Sequence, residues 1–142
     1  ATTDIYTLSL HDALPILKFL HPDKEFYRDD VNNLSIVCRL DFRGVRYLFT
    51  GDIEQDAEEY LFHKYPQEIK ADYLKVAHHG SRTSSSNEFL RMVSPEEAWI
   101  TTSRSNIYGF PHPEALERLG RYTSKLRSTA DGTILHFCTQ ND

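Results

Sequence analysis

Thr50-Gly51-Asp52 and His78-His79-Gly80-Ser81 each close an apolar run, Leu48-Phe49 in the first case and Leu74-Lys75-Val76-Ala77 in the second. Carboxylate oxygen and imidazole nitrogen are the donors that hard and borderline divalent cations take. A metal-assisted hydrolase needs such donors fixed at one place, and the ends of strands are where a fold can fix them. His112, between Pro111 and Pro113, is a third candidate, since flanking prolines hold an imidazole at low entropic cost.

Each candidate also has an ordinary reading. Asp52, ahead of Ile53-Glu54-Gln55, is suited to cap a helix N-terminus. The His pair is equally a core histidine beside an exposed neighbour, and His112 equally opens a helix. If the second run is a strand, alternation groups His78 with Leu74 and Val76, and His79 with Tyr73 and Ala77. One of the pair then faces a metal, and His79, next to Gly80, is the better placed. The other orients it or protonates a departing oxygen, so both are catalytic candidates. The Ser81 to Ser86 loop offers hydroxyls and a helix start to a phosphate oxygen, or plain capping. Arg82, Arg104 and Asn106 are phosphate contacts or solvated loop residues, and His21, His63 and His136, outside any motif, are structural.

The elements that must position these groups are legible in outline. Leu34, Ile36, Cys38, Leu40 and Phe42 alternate with Ser35, Arg39 and Asp41, as in a half-buried strand. Arg43-Gly44 turns the chain into a return strand, Val45 to Thr50, and Gly51 lets the backbone bend at its end. A helix follows, with Ile53, Ala57, Tyr60 and Leu61 at helical spacing, Glu54, Glu58 and Glu59 on the solvated side, and Pro66 closing it. Asp72 to His79 reads as the next strand, and Ser85-Ser86-Asn87-Glu88 as a capping box opening a helix with Phe89, Leu90 and Val93. Ala98 to Thr102 reads as a strand, the segment after Pro113 as a helix with Ala115, Leu116 and Leu119 apolar, and Asp131-Gly132 as the turn of a final hairpin returning over Thr133 to Cys138. Strands alternating with helices imply a layered α/β fold.

Four segments together resemble the metallo-β-lactamase-fold domain at the carboxyl end of the ComEC/Rec2 competence proteins, the bacterial DNA-internalisation channels, and its stand-alone hydrolase relatives. They are Asn32 to Val37, Thr50-Gly51-Asp52, Ala71 to Ser86 and Asn106 to Glu114, in the family's order, and the likeness covers roughly residues 17 to 138, within a domain running from 17 to 142. The resemblance implies the C-terminal part of an αββα sandwich and a dinuclear hydrolase using two divalent ions, zinc or manganese. It implies that Asp52 bridges the ions, that His79 and His112 are metal ligands, and that the substrate is DNA or another phosphodiester. The family's motif reads Tyr-Gly-His-Pro-His-Pro, whereas this chain has Phe110 at the first His. The family's His-x-His-x-Asp-His run, which supplies most of the ligands, is not in this sequence. The expectation is therefore a partial domain whose partner is a missing N-terminal half, incompletely coordinated and inactive alone. A membrane channel domain and an envelope location follow if it is a competence channel, and a cytoplasmic location if it is a free-standing hydrolase of a small phosphodiester or ester. A metal-free interaction domain is the third reading, with Phe110 as its hint.

Residues 1 to 16 resemble the translation of a widely used short-read sequencing adapter, differing only at Asp4, where the adapter encodes Glu. They are set apart from fold reasoning, and His11 and Asp12 from the site. The sequence is 39% hydrophobic and 26% charged, with no apolar run near the roughly 18 residues of a membrane helix. Its net charge of −5, or −3 without the first sixteen residues, argues against a dedicated nucleic-acid-binding module, which would carry a basic face. It leaves room for a phosphodiesterase, whose metals bring positive charge locally. Cys38 and Cys138 form no C-x-x-C pair and read as buried thiols.

Overall fold

The computed structural model describes residues 14–26 and 29–138, so that His11, Asp12 and most of the adapter-like segment lie outside the described residues. The apolar runs form six strands: β1 (Ile16–His21), β2 (Val37–Phe42), β3 (Val45–Phe49), β4 (Tyr73–Lys75), β5 (Glu97–Ile100) and β6 (Lys125–Ser128). They lie in one sheet in the order of the sequence, β1 to β6. β1, β2 and β3 are antiparallel neighbours, whereas β3 to β6 run parallel. Arg43 and Gly44, with φ of 51° and 75°, make the two-residue turn between β2 and β3, both in the left-handed conformation that matches the twist of a hairpin.

Parallel neighbours need a crossover, and each is a helix: α1 (Gln55–Lys64), α2 (Asn87–Val93) and α3 (Pro113–Tyr122). Val37, Leu48, Leu74, Val76, Ala98 and Ile100 of the sheet meet Ala57, Leu61, Phe89, Leu90, Val93 and Leu119 of the helices in one buried core. The fold is thus mixed α/β, with the helices layered on one face of the sheet.

The other face is only partly covered. Leu17, Leu40, Tyr47 and Tyr73 occupy it in register across four strands. Leu17 is 52% exposed and Phe19, on the same strand face, 69% exposed. The segment after Gly132 crosses part of this face and sets His136 among Tyr47, Tyr73 and Trp99, where Tyr47 Oη and His136 Nε2 are 2.9 Å apart. Between that segment and the sheet lies a cleft of about 610 Å³, lined by Phe49, Lys75, Trp99, Ile134 and His136 among others.

The structure departs from the sequence expectations in five places. β1 was not expected, and it takes in Ile16, the last residue of the adapter-like segment. β2 begins at Val37 rather than Leu34: Asn32–Leu34 is a 3-10 turn, and Val37 is fully buried while Ile36 is 59% exposed. The strand pattern there is inverted because Asn33 is drawn inward to accept the N–H groups of Glu54 and Ala57 at the start of α1. β4 ends at Lys75, since Ala77–Gly80 coils tightly. Glu54 and Glu58, expected on the solvated side of α1, both turn inward, Glu58 fully buried and Glu54 with a side chain 22% exposed. The last pairing is made by β6, parallel to β5 and before Asp131-Gly132, and 133–138 forms no strand. Cys38 and Cys138 are free thiols, each half-buried. Among the described residues no helix is long and apolar enough to cross a membrane.

Candidate functional site

Three parallel strands, β3, β4 and β5, end side by side, and the loops leaving them converge, the usual place for a site in an open α/β sheet. The first loop is tied at once. Buried Thr50 donates its hydroxyl to the Lys75 carbonyl at 2.7 Å. Gly51 then turns with φ 56°, at a point where a β-carbon would lie 2.7 Å from Ser35 Cβ. Asp52 projects beyond this turn. It does not cap α1, whose N-cap position is Glu54. Lys75 Nζ donates to the Gly51 carbonyl at 3.0 Å and stands 3.9 Å from Asp52 Oδ1. Burial pushes the Lys75 ammonium below its ordinary pKa, and the Asp52 carboxylate opposes that shift.

The second loop holds the His pair in an uncommon backbone. His78 and His79 have φ of 46° and 56°, and Gly80 follows at 80°. Two successive non-glycine residues in the left-handed region are costly and persist where the surroundings fix them. Here the His78 N–H donates to the Gly51 carbonyl at 3.1 Å and the His112 N–H to the Gly80 carbonyl at 2.9 Å. Pro111 packs so closely that a β-carbon on Gly80 would lie 2.7 Å from its Cβ. Strand alternation therefore does not apply to the pair. Both imidazoles line one cleft of about 470 Å³ with Asp52, Thr101, Thr102, Ser103, Asn106, Tyr108 and Phe110.

Hydrogen bonds set the rings. His79 Nδ1 lies 2.5 Å from the Thr101 carbonyl oxygen, which only accepts, so Nδ1 carries the hydrogen. His79 Nε2 is 3.6 Å from Asp52 Oδ1. With Nε2 unprotonated these are two acceptors facing each other, an arrangement that either a proton on Nε2 or a shared metal cation reconciles. Ligand atoms each about 2.0–2.2 Å from a metal can stand this far apart, and ligating histidines typically anchor their other nitrogen on a carbonyl or carboxylate. Asp52 and His79 thus fit part of a metal shell. Among the described residues, no three His, Cys, Asp or Glu side chains gather closely enough to hold an ion.

His112 is brought near but spends both nitrogens on the loops. Its Nδ1 accepts the Arg82 N–H at 3.0 Å, and its Nε2 is 3.1 Å from the Tyr108 carbonyl. It opens α3 at the N-cap position. Phe110 supplies a ring where the resembled motif has an imidazole: it stacks on His79 at 6.0 Å and 26°, meets His78 edge-on at 5.3 Å, and carries Tyr108 stacked at 5.5 Å. Asn106 holds this loop by bonding both the N–H and the carbonyl of Phe110, and Arg104 donates to the Ala130 carbonyl.

The Ser81 to Ser86 hydroxyls are turned largely to structure. Ser84 donates to the Ile53 carbonyl, and Ser86 caps α2 by accepting the Phe89 N–H. The cap is Ser86 alone, with Ser85 at φ 58° before it. Buried Glu58 accepts the N–H groups of Ser85 and Ser86, while Arg118 of α3 donates to the carbonyls of Arg82, Ser84 and Ser85. Sequence reasoning missed Asn33, Glu54, Lys75, Glu58 and Arg118 around the site. Each acts on a partner 21 or more residues away, which no local pattern reveals. Glu58, between Ala57 and the apolar stripe position Leu61, carried the one available signal.

No family model matches the chain. It is 38% identical over 104 residues to ComE operon protein 3 of Bacillus subtilis, a stretch covering 72% of this chain and 13% of that protein. It is 37% identical over 120 residues to Competence protein ComA of Neisseria gonorrhoeae, covering 84% and 17% respectively. Over 113 residues it is 38% identical to Recombination protein 2 of Haemophilus influenzae, covering 80% and 14%. The chain spans less than a fifth of the length of these relatives.

Proposed function

Because most of this chain is related in sequence to segments of competence proteins, we propose that it is a portion of a ComEC/Rec2-type protein of DNA uptake. In this reading it contributes part of a metal-dependent phosphodiesterase site of the metallo-β-lactamase kind. The observation that carries the reading is the pairing of Asp52 Oδ1 with the lone-pair nitrogen of His79 at 3.6 Å, in a cleft at the ends of three parallel strands.

Asp52 and His79 would hold divalent ions, zinc or manganese, which supply Lewis-acid stabilisation of phosphoryl oxygens and a water acidic enough to attack phosphorus near neutral pH. The chain's own residues prepare that chemistry. The Gly51 turn and Lys75 hold the Asp52 carboxylate in place and keep its charge balanced. Thr101 fixes the His79 ring, so that no reorganisation is needed when a charge arrives. His78 presents a second imidazole at the cleft, the candidate, once its cleft-facing nitrogen has taken up a proton, to hand that proton to the departing oxygen. Phe110 lines one wall of the cleft with an apolar ring, on which the exposed Tyr108 ring stacks. The open face of the sheet, with Leu17 and Phe19 uncovered, suits docking of a second layer that would bring the remaining ligands.

The test uses the uninterrupted protein from which this portion comes. Elemental analysis of bound metal and hydrolysis of a generic phosphodiester are measured for wild type and Asp52→Asn. Loss of both metal and turnover, with the far-UV circular dichroism unchanged, is the expected result. Full metal content with wild-type turnover in Asp52→Asn would remove the reading. Absence of metal from the wild type would favour instead an interaction domain without catalysis, the reading that Phe110 in place of a histidine supports.

A further inference from the structure

Glu54 occupies the N-cap position of α1 yet does not cap it. Glutamate is not among the side chains preferred there, which are Ser, Thr, Asp and Asn. The capping is done from a distance by Asn33, whose Oδ1 accepts the Glu54 N–H at 2.9 Å and the Ala57 N–H at 3.2 Å. The Glu54 side chain is thereby free for other work, on a backbone already fixed.

It turns into the site. Its Oε1 lies 3.1 Å from His78 Nδ1 and accepts the Thr83 hydroxyl at 2.9 Å. Thr83 Oγ1 is in turn 2.9 Å from Ser81 Oγ, and the Thr83 carbonyl accepts the Gln55 N–H at 3.1 Å. The carboxylate is therefore held from two sides, and both it and the imidazole are largely buried, with side-chain exposures of 22% and 19%.

A carboxylate offers only lone pairs, so the nitrogen facing it must bear a hydrogen. We infer that Glu54 is a positioning residue of the site: it fixes His78 as the Nδ1–H tautomer and presents Nε2 to the cleft as the nitrogen with a free lone pair. The His pair then shows one pattern made twice, His79 anchored on the Thr101 carbonyl and His78 on a carboxylate, the two acceptors that commonly orient working histidines. Which task the presented nitrogen performs rests on the hydrolase reading. The assignment of the tautomer does not.

The experiment reads tautomers rather than turnover, so its failure is separate from failure of the hydrolase reading. The 142-residue chain is labelled with 15N-histidine, and two-bond proton–nitrogen correlations are recorded at a pH where the imidazoles are neutral, with peaks assigned through His78→Gln and His79→Gln. Wild type should show Nδ1–H for both rings. Glu54→Ala should shift His78 to predominantly Nε2–H while His79 stays unchanged, and Glu54→Gln, whose amide oxygen still accepts, should restore Nδ1–H. Nε2–H at His78 in wild type overturns the inference, and so does an unaltered His78 in a folded Glu54→Ala. If Glu54→Ala does not fold, Glu54→Asp, one methylene too short to reach, takes its place under the same criteria.

Discussion

Gly80 shows how little freedom the site leaves to single residues. Its φ of 80° and the 2.7 Å approach of Pro111 Cβ to any added β-carbon act together, one through backbone strain and the other through overlap. Gly80→Ala should lower stability by about 1–3 kcal/mol, read from the midpoint of urea unfolding. His79 already carries a β-carbon on its left-handed backbone, so truncating it to alanine adds little strain and should spare the fold. In a full-length protein of the proposed type His79→Ala should lower bound metal and reduce phosphodiester turnover about 10²–10⁴-fold, the worth of several kcal/mol of Lewis-acid stabilisation, with the thermal midpoint little changed; a wild-type rate would exclude it from the chemistry. At this scale the sequence was informative about which atoms matter and silent about how they are held. Asp52, His78 and His79 stood out because their residue types at strand ends are unusual. Glu54 and Lys75 did not, because a glutamate at a helix start and a lysine in a strand are ordinary until the distances to His78 and Gly51 are known. His112 was conspicuous between its prolines, yet its nitrogens are engaged by Arg82 and Tyr108.

Among the elements, α1 and α3 jointly clamp the loop that leads from the His pair to α2. Burial pushes the Glu58 carboxyl above its ordinary pKa, against the pull of the Ser86 and Ser85 N–H groups and of Arg118. The native state thus takes up this proton more readily than the unfolded chain. Its contribution to stability is full below the ordinary glutamate pKa and declines as pH rises toward the raised native value. Glu58→Gln removes that dependence. The stability of wild type minus that of Glu58→Gln should therefore be largest in acid and shrink across that window, as measured by urea unfolding at a series of pH values. Arg118→Ala withdraws the donor from three loop carbonyls and should cost about 1–3 kcal/mol. The strands and helices themselves were mostly legible, since β3, α1, α2 and α3 follow their apolar periods. The failures were local: β2 was read in the wrong phase because Asn33 overrides alternation, and β4 was read four residues too far at its carboxyl end because the left-handed turn at His78 and His79 has no signature in residue type.

For the molecule as a whole, the face of the sheet away from the helices sets its behaviour in solution. An apolar surface that includes Leu17 and Phe19 at an edge strand favours association. The 142-residue chain should sediment as a concentration-dependent mixture of species, and Phe19→Lys should shift it toward monomer; a wild type that stays monomeric at high concentration would show the face to be covered. The layered α/β architecture was readable from the alternation of elements, whereas which strand sits at which edge was not, because apolar β1 begins inside the segment set apart as adapter-like and β6 has Leu126 as its single apolar residue.

The sheet keeps the order of the sequence from one edge to the other, each strand pairing with its immediate predecessor in the chain. No strand has to be inserted between two that are already joined. Assembly can then proceed as a zip, each new segment finding a finished edge and closing only one loop at a time, which keeps the entropic toll of every step modest. A ribosome releasing this chain from the amino end would release its strands in the order in which they can dock. Shortening it from the carboxyl end should strip β6 first and leave the pairings of β1 to β5, and with them Asp52 and the two histidines, in place.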